Sequence, residues 1–186
     1  MRDLHTLLQD DELILSRSVV DRVLLMTPAS TSPDAALRLE QFYALRDELD
    51  PAWALCPTEL RHLHRMPVLV APDPGGEPLS TLLCRPLPLP VALRVAVGIA
   101  SALAGLHGRG FIHRDIKPAS ILVEPGSGAA WLSGLGRASR VHGQRQSPEP
   151  PHVIAGTLAY MAPEQTGRMN RSIDSRSDLY AFGVLL

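Results

Sequence analysis

Phe111-Ile112-His113-Arg114-Asp115-Ile116-Lys117-Pro118-Ala119-Ser120-Ile121-Leu122 is the stretch on which the reading of this chain turns. Two apolar anchors, Phe111-Ile112 and Ile121-Leu122-Val123, bracket a polar loop. An acid, two cations and a proline lie between Arg114 and Ala119. Pro118 fixes φ and has no backbone N–H to give, so the segment is a shaped loop and not a helix. Working outward, Pro90 to His107 is the clearest predicted helix. Leu93, Val97, Ala100, Leu103 and Ala104 form its apolar stripe, and Gly108 with Gly110 ends it. On the other side, Glu124-Pro125-Gly126-Ser127-Gly128 is a turn and Ala129 to Leu132 a short strand. Ser133-Gly134-Leu135-Gly136 follows.

The amino-terminal part has a different texture. Leu4 to Gln9, Leu13 to Ser18 and Val23 to Thr27 read as strands of a small meander, with Asp10-Asp11-Glu12 at its first turn. Pro33 to Leu49 reads as an amphipathic helix with Leu37, Phe42, Leu45 and Leu49 near helical spacing, and Asp34 favourable at its start. Leu60 to Leu63 and Val68 to Ala71 read as two further strands. His62 and His64 would share one strand face, without the third ligand that a metal site needs. Pro72-Asp73-Pro74-Gly75-Gly76-Glu77-Pro78 breaks regular structure and reads as a linker between two parts.

Composition narrows the function. The net charge of −1 argues against nucleic acid or an anionic membrane as the main partner. Cys56 and Cys84 form no motif and need no disulfide, which suits a reducing compartment. The amino-terminus runs quickly into Asp10-Asp11-Glu12 and has no secretory pattern. The apolar run from Val95 to Leu106 reads as too short to span a bilayer, so the expectation is a soluble, cytoplasmic chain with no membrane span. Leu179-Tyr180-Ala181-Phe182-Gly183-Val184-Leu185-Leu186 stops on apolar residues, which reads as a truncated chain.

His113 to Ser120 resembles the catalytic loop of eukaryotic-type Ser/Thr protein kinases, H-R-D-x-K-P-x-N, with Ser120 in place of the Asn. Gly156-Thr157-Leu158-Ala159-Tyr160-Met161-Ala162-Pro163-Glu164 is similar to that family's substrate-positioning loop and A-P-E motif. The segment Gly156 to Gly183 looks especially like the amino-terminal kinase-like domain of large bacterial proteins that carry kinase, ATPase and sensor histidine kinase modules. The resemblance implies an α+β, protein-kinase-like two-lobed fold. It assigns residues 1–71 to a β-rich lobe with one helix, 72–78 to the hinge and 79–186 to part of a mainly helical lobe. In the latter fall the catalytic loop at 111–123, an activation segment at 134–164 and the start of the next helix at 177–186. Ser147, before Pro148 in the activation segment, is a candidate for modification.

The same resemblance distributes roles. Asp115 would accept the substrate hydroxyl proton, Lys117 would stabilise the transferring phosphoryl group, and Thr157 would hydrogen-bond both. His113, Arg114, Gly136, Glu164 and Asp178 would be structural. Asp178 would fasten the loop backbone, Ser177 or Asp178 would cap the next helix, and Glu164 would pair with an arginine of a later helix. The positions for ATP and magnesium are replaced. Met26 stands for the phosphate-binding lysine, Phe42 (with Glu40 close by) for its glutamate, and Ser120 and Gly134 for the two magnesium ligands. The first turn of the meander, Asp10-Asp11-Glu12, is acidic and lacks the family's glycines, so it would repel phosphate. ATP and magnesium are therefore expected to bind weakly or not at all, and no metal site is expected. Three readings follow: a pseudokinase acting on protein partners or attached ATPase and sensor histidine kinase modules, an atypical active Ser/Thr kinase, or a non-functional remnant.

Overall fold

The computed structural model describes residues 4–31, 33–64, 66–141, 156–168 and 171–186. Ser147 and its neighbours, the centre of the expected activation segment, lie outside the described residues.

Strands β1 (Leu4–Gln9), β2 (Leu13–Ser18) and β3 (Val23–Pro28) form the expected meander, closed at Asp10-Asp11-Glu12 by two N–H bonds to the Asp10 carboxylate. Helix α1 (Pro33–Ala44) then crosses to β4 (Glu59–Leu63) and β5 (Met66–Pro72). The five strands make one antiparallel sheet in the order β1-β2-β3-β5-β4. The helix ends sooner than its sequence suggests, passing into a 3-10 turn at Arg46–Glu48. It buries Ala35, Leu39 and Phe42, at i, i+4 and i+7, and leaves Leu37 outside. His62 lies on β4, but His64 has left the strand in a left-handed turn at φ 50°, so the two do not share a face.

The second half is built around one long helix. After β6 (Glu77–Pro78) and the single turn α2 (Leu79–Leu82), α3 runs from Leu89 to Gly108. Next come β7 (Phe111–Ile112), β8 (Ile121–Val123), β9 (Ala130–Leu132), β10 (Ser139–Arg140) and α4 (Ser175–Leu185). The linker is thus not wholly irregular, because β6 pairs with β8 and β8 with β9. Residues 53–55 are tied to β9 by Leu55 N–H to Leu132 O and Leu132 N–H to Trp53 O, both 2.9 Å. One cluster of buried apolar side chains runs from Leu15, Met26 and Phe42 through Leu132 and Leu135 to Ile99 and Leu103.

Helix α3 corrects two expectations. Its buried face is Val95, Ile99, Ala102, Leu103 and Leu106, while Leu93 and Val97 are 58% and 67% exposed. A helix apolar on nearly every side has no polar face to orient it by, so periodicity alone misplaces the stripe. At 20 residues α3 is also long and apolar enough to cross a membrane by length and composition, contrary to the shorter run read from sequence. Its packing face is engaged by β7, β8 and β9.

Close backbone approach fixes how α3 rotates. A Cβ at Gly98 would overlap the carbonyl oxygen of Gly128, and one at Gly105 would press on the Trp53 ring. Gly98→Ala should therefore destabilise the protein by about 1–3 kcal/mol through overpacking, although alanine is the better helix former by roughly 0.8–1.0 kcal/mol. A lowered urea midpoint would agree with this packing; an unchanged or raised one would contradict it.

Candidate functional site

The loop of residues 113–120 is held from beneath by Asp178, whose side chain is 1% exposed at the first turn of α4. His113 N–H donates to its Oδ2 at 2.8 Å and Arg114 N–H to its Oδ1 at 2.9 Å. His107 Nε2 donates to Oδ2 as well, at 2.8 Å. These bonds hold Arg114 at φ 68°, a left-handed conformation that a side-chain-bearing residue adopts only when its surroundings compel it. The Arg114 carbonyl accepts from Gln165 Nε2 at 2.8 Å. His113 is fully buried, giving its Nε2 proton to Ser133 O at 2.9 Å while Nδ1 accepts the Asp115 N–H. The helix itself is capped by Asp174, which accepts the Arg176 N–H, and not by Ser177 or Asp178. Ser177 instead donates to Glu164 at 2.6 Å, giving that buried carboxylate a partner within the chain.

Asp115 faces the other way, into the cleft. Its Oδ1 accepts from Thr157 N–H at 2.9 Å and from Thr157 Oγ1 at 3.1 Å. Gly156, at φ 131°, permits this approach, since its Cα lies close to both Arg114 O and Asp115. Lys117 Nζ stands 3.9 Å from Asp115 Oδ2. Thr157 reaches only Asp115, however. Lys117 is turned toward the acidic β1–β2 turn, 3.2 Å from Asp10 and 3.5 Å from Glu12.

That turn crosses the cleft. Glu12 Oε1 meets Arg38 Nη1 of α1 at 2.5 Å and Arg137 Nη2 at 3.0 Å, so one carboxylate gathers three cations from three segments. Arg137 Nε is also 3.5 Å from Asp115 Oδ2. Burial alone would raise the Glu12 pKa, but Lys117 and the hydrogen bonds from Arg38 and Arg137 outweigh it and lower it from 4.5 to about 2. Burial opposes the charge on Lys117, and Asp115, Asp10 and Glu12 overcome that and push its pKa up. Gly136 brings α1 to this place, because its Cα lies against the Arg38 backbone where no side chain would fit.

The positions that the resemblance gives to ATP and magnesium hold other chemistry. Met26 and Phe42, each 1% exposed, belong to one buried apolar cluster. Ser120 Oγ accepts the Lys117 N–H at 3.0 Å and lies 3.0 and 2.9 Å from the carbonyls of Asp115 and Lys117. Its proton and one of its two lone pairs are thus engaged by the loop. A Cβ at Gly134 would stand 3.6 Å from the Ser120 Cβ, so the two positions are neighbours with no carboxylate between them. This pair does not fit magnesium, which is held through carboxylates and phosphates. Among the described residues no group of three His, Cys, Asp or Glu side chains could hold a metal ion.

The 72–76 stretch is equally committed. Pro72 and Pro74 carry no N–H, Asp73 N–H donates to Arg22 O at 3.0 Å, and Gly75 N–H donates to the Asp73 carboxylate at 2.9 Å. Arg17 of β2 closes over it, donating to Asp73 at 2.6 Å, Glu77 at 2.6 Å and Gly76 O at 2.5 Å. Among these described residues only Gly76 keeps an unengaged N–H for a base edge. Sequence reasoning missed Arg17, Arg38, Arg137 and Gln165. Their partners lie far away along the chain, and the acidity of the first turn was the sole signal of the cluster.

An antiparallel five-stranded sheet with one crossing helix, joined to a helical part whose H-R-D loop is pinned by a buried aspartate, defines the two-lobed protein kinase fold. The protein kinase domain family matches residues 74–186, more than half of the chain. The chain belongs to the protein kinase family. Serine/threonine-protein kinase Pkn1 of Myxococcus xanthus is 36% identical over 124 residues, covering 64% of this chain and 17% of that protein. AfsK of Streptomyces griseus is 40% identical over 104 residues, 55% of this chain and 12% of that protein. Serine/threonine-protein kinase PknL of Mycobacterium tuberculosis is 38% identical over 124 residues, 66% of this chain and 30% of that protein. The chain thus spans a third or less of the length of these relatives.

The Glu12 cluster has a defined acid response. Its carboxylate is depressed in the folded state, so its contribution is present above 4.5 and is lost as pH falls through about 2. Urea unfolding should show Glu12→Gln less stable than the wild type at about pH 6, with the difference closing toward about pH 2. A difference that is constant across this range would contradict the ion cluster.

Proposed function

We propose that this is a kinase-fold signalling module with impaired phosphoryl transfer, which acts in the cytoplasm by binding protein partners or attached modules. The observation that carries this is the Ser120 hydroxyl, committed to the loop backbone beside a Gly134 that offers no ligand. Phosphoryl transfer depends on positioned phosphates and metal more than on covalent chemistry by the protein. Loss of two charge contacts at about 3 kcal/mol each corresponds to a roughly ten-thousandfold slower reaction. The buried Met26 and Phe42 and the occupied 72–76 backbone support the same reading from the nucleotide side.

The relatives are longer multi-domain proteins by the share of each that this chain covers, which supports attached modules as the recipients of its signal. An ATPase and a sensor histidine kinase are the modules we expect. A second reading, an atypical active Ser/Thr kinase, is favoured by one observation. Asp115, Lys117 and Thr157 remain clustered, with Asp115 held by two bonds from Thr157. Incubation with γ-labelled ATP, magnesium or manganese, and a generic acceptor protein separates the two. The expected result is no transfer above that of Asp115→Ala. Transfer that depends on Asp115 would establish the active kinase instead.

A further inference from the structure

A cavity of about 680 Å³ lies between α3, the β8–β9 turn and residues 52–53, away from the 113–120 loop. Ala102 and Ala130, both buried, stand at its base, and Leu93 and Val97, both largely exposed, at its rim. Trp53 lines one side. The face of α3 that carries the rim is the one left over when the helix packs through Val95, Ile99 and Leu103. Apolar side chains that converge on a groove and still meet water mark a place where a partner would remove them from it.

The walls are fixed before anything binds. The Gly98 backbone of α3 lies against the Gly128 carbonyl oxygen, which a Cβ there would overlap. The β8–β9 turn holds itself through Glu124, whose carboxylate accepts the Gly126 and Ser127 N–H groups. Ser127 Oγ accepts the Ala129 N–H at 3.1 Å. On the other side, Trp53 O accepts the Leu132 N–H at 2.9 Å, and Pro51 O accepts Trp131 Nε1 at 3.0 Å. A preformed groove loses little conformational freedom when it is filled.

Two features say what fits it. Arg94 is the one charged group lining the cavity, and it makes no ion pair or hydrogen bond among the described residues. The exposed Glu124 is its electrostatic neighbour. The nearby Ser101 hydroxyl is already given to Val97 O at 2.9 Å, so Arg94 is the polar group left to select an occupant, and it selects a carboxylate. The second feature is the edge of β9. Leu132 turns its N–H and C=O to residues 53–55. By strand alternation Ala130 turns its own to the same side, into the cavity that it lines. Such an edge at the base of a groove suits an extended chain more than the broad face of a second folded copy.

We propose that this groove docks an extended segment of a separate protein, with apolar side chains over Leu93 and Val97 and an aspartate or glutamate on Arg94. This rests on the reading that the chain acts by binding protein partners, and it names the surface and the chemistry of the partner. Apolar contact supplies the affinity. Arg94 supplies the selectivity, since an exposed ion pair is modest in energy but the wrong sign is rejected.

A random dodecapeptide phage library, selected on the full chain and depleted on Val97→Asp, tests this. Val97 and Arg94 are both exposed, so neither change enters the core. Enriched peptides should combine apolar residues at alternate positions with an aspartate or glutamate. By fluorescence anisotropy they should bind Arg94→Glu about tenfold more weakly than the wild type. Exchanging their acid for lysine should restore binding to Arg94→Glu. Failure to select any peptide that Val97→Asp rejects overturns the proposal, as do enriched peptides that are basic or indifferent to Arg94→Glu. Self-association that Val97→Asp abolishes, seen by sedimentation where no such peptide is found, gives the groove to a second copy and also overturns it. Should Val97→Asp fail to unfold cooperatively, Leu93→Ser takes its place under the same criteria. Because no nucleotide enters the selection, failure here leaves the labelled-ATP result standing, and Asp115-dependent transfer would leave the docking result standing.

Discussion

The bond pair from His113 N–H and Arg114 N–H to the Asp178 carboxylate is the constraint on which the rest of the site depends. It holds Arg114 in a left-handed conformation, which turns the chain so that His113 points into the core and Asp115 into the cleft. Without the carboxylate, two buried N–H donors would be stranded at about 1–3 kcal/mol each. His107 adds a third bond from the end of α3, so the longest helix, the loop and α4 meet at one side chain. Gln165 secures the same peptide from the opposite side through the Arg114 carbonyl. His113, Arg114 and Asp178 are therefore explained by architecture alone, without reference to chemistry.

On the cleft side, charge is balanced within the protein. Where a kinase would hold a nucleotide's phosphates against lysine and metal, the β1–β2 turn brings its own carboxylates to Lys117, Arg38 and Arg137. Arg17 does the corresponding thing at 72–77, where its fork spans two carboxylates and a carbonyl. The Glu12 clasp joins the β-sheet to Lys117 and Arg137, and the Arg17 clasp joins it to residues 73–77. Each is partly exposed, so each is modest in energy and sensitive to salt. Their effect is on position more than on stability, since they keep the two halves together at the places where ligand would otherwise do so.

Much of the fold was legible because the loop at 113–120 and the segment at 156–164 are dense in residues whose geometry is special. Pro118, Gly156 and the buried Asp178 leave the backbone few alternatives. Ser120 and Gly134 could be singled out because they lie close to those landmarks, and Met26 because it ends the run Val23-Leu24-Leu25-Met26. What the sequence did not disclose is pairing over distance. Glu12 read as a residue that would repel phosphate, and nothing local indicates that Arg137 and Arg38 would come to meet it. The stripe on α3 failed for a different reason, because Leu93 and Val97 are as apolar as the Val95 and Ile99 that are buried. The cap of α4 reads from sequence as Ser177 or Asp178, and Asp174 was missed. Only the structure shows that Asp178 is occupied by the loop and leaves capping to Asp174.

On the proposed reading, the loop persists as a structural unit without its metal chemistry. Electron paramagnetic resonance of manganese, titrated with ATP in the presence and absence of the protein, tests it most directly. The protein is expected to leave the free and ATP-bound manganese populations unchanged. A saturable, ATP-dependent loss of free manganese that requires the folded protein would contradict it, and would place a metal at a site where Ser120 and Gly134 offer no carboxylate.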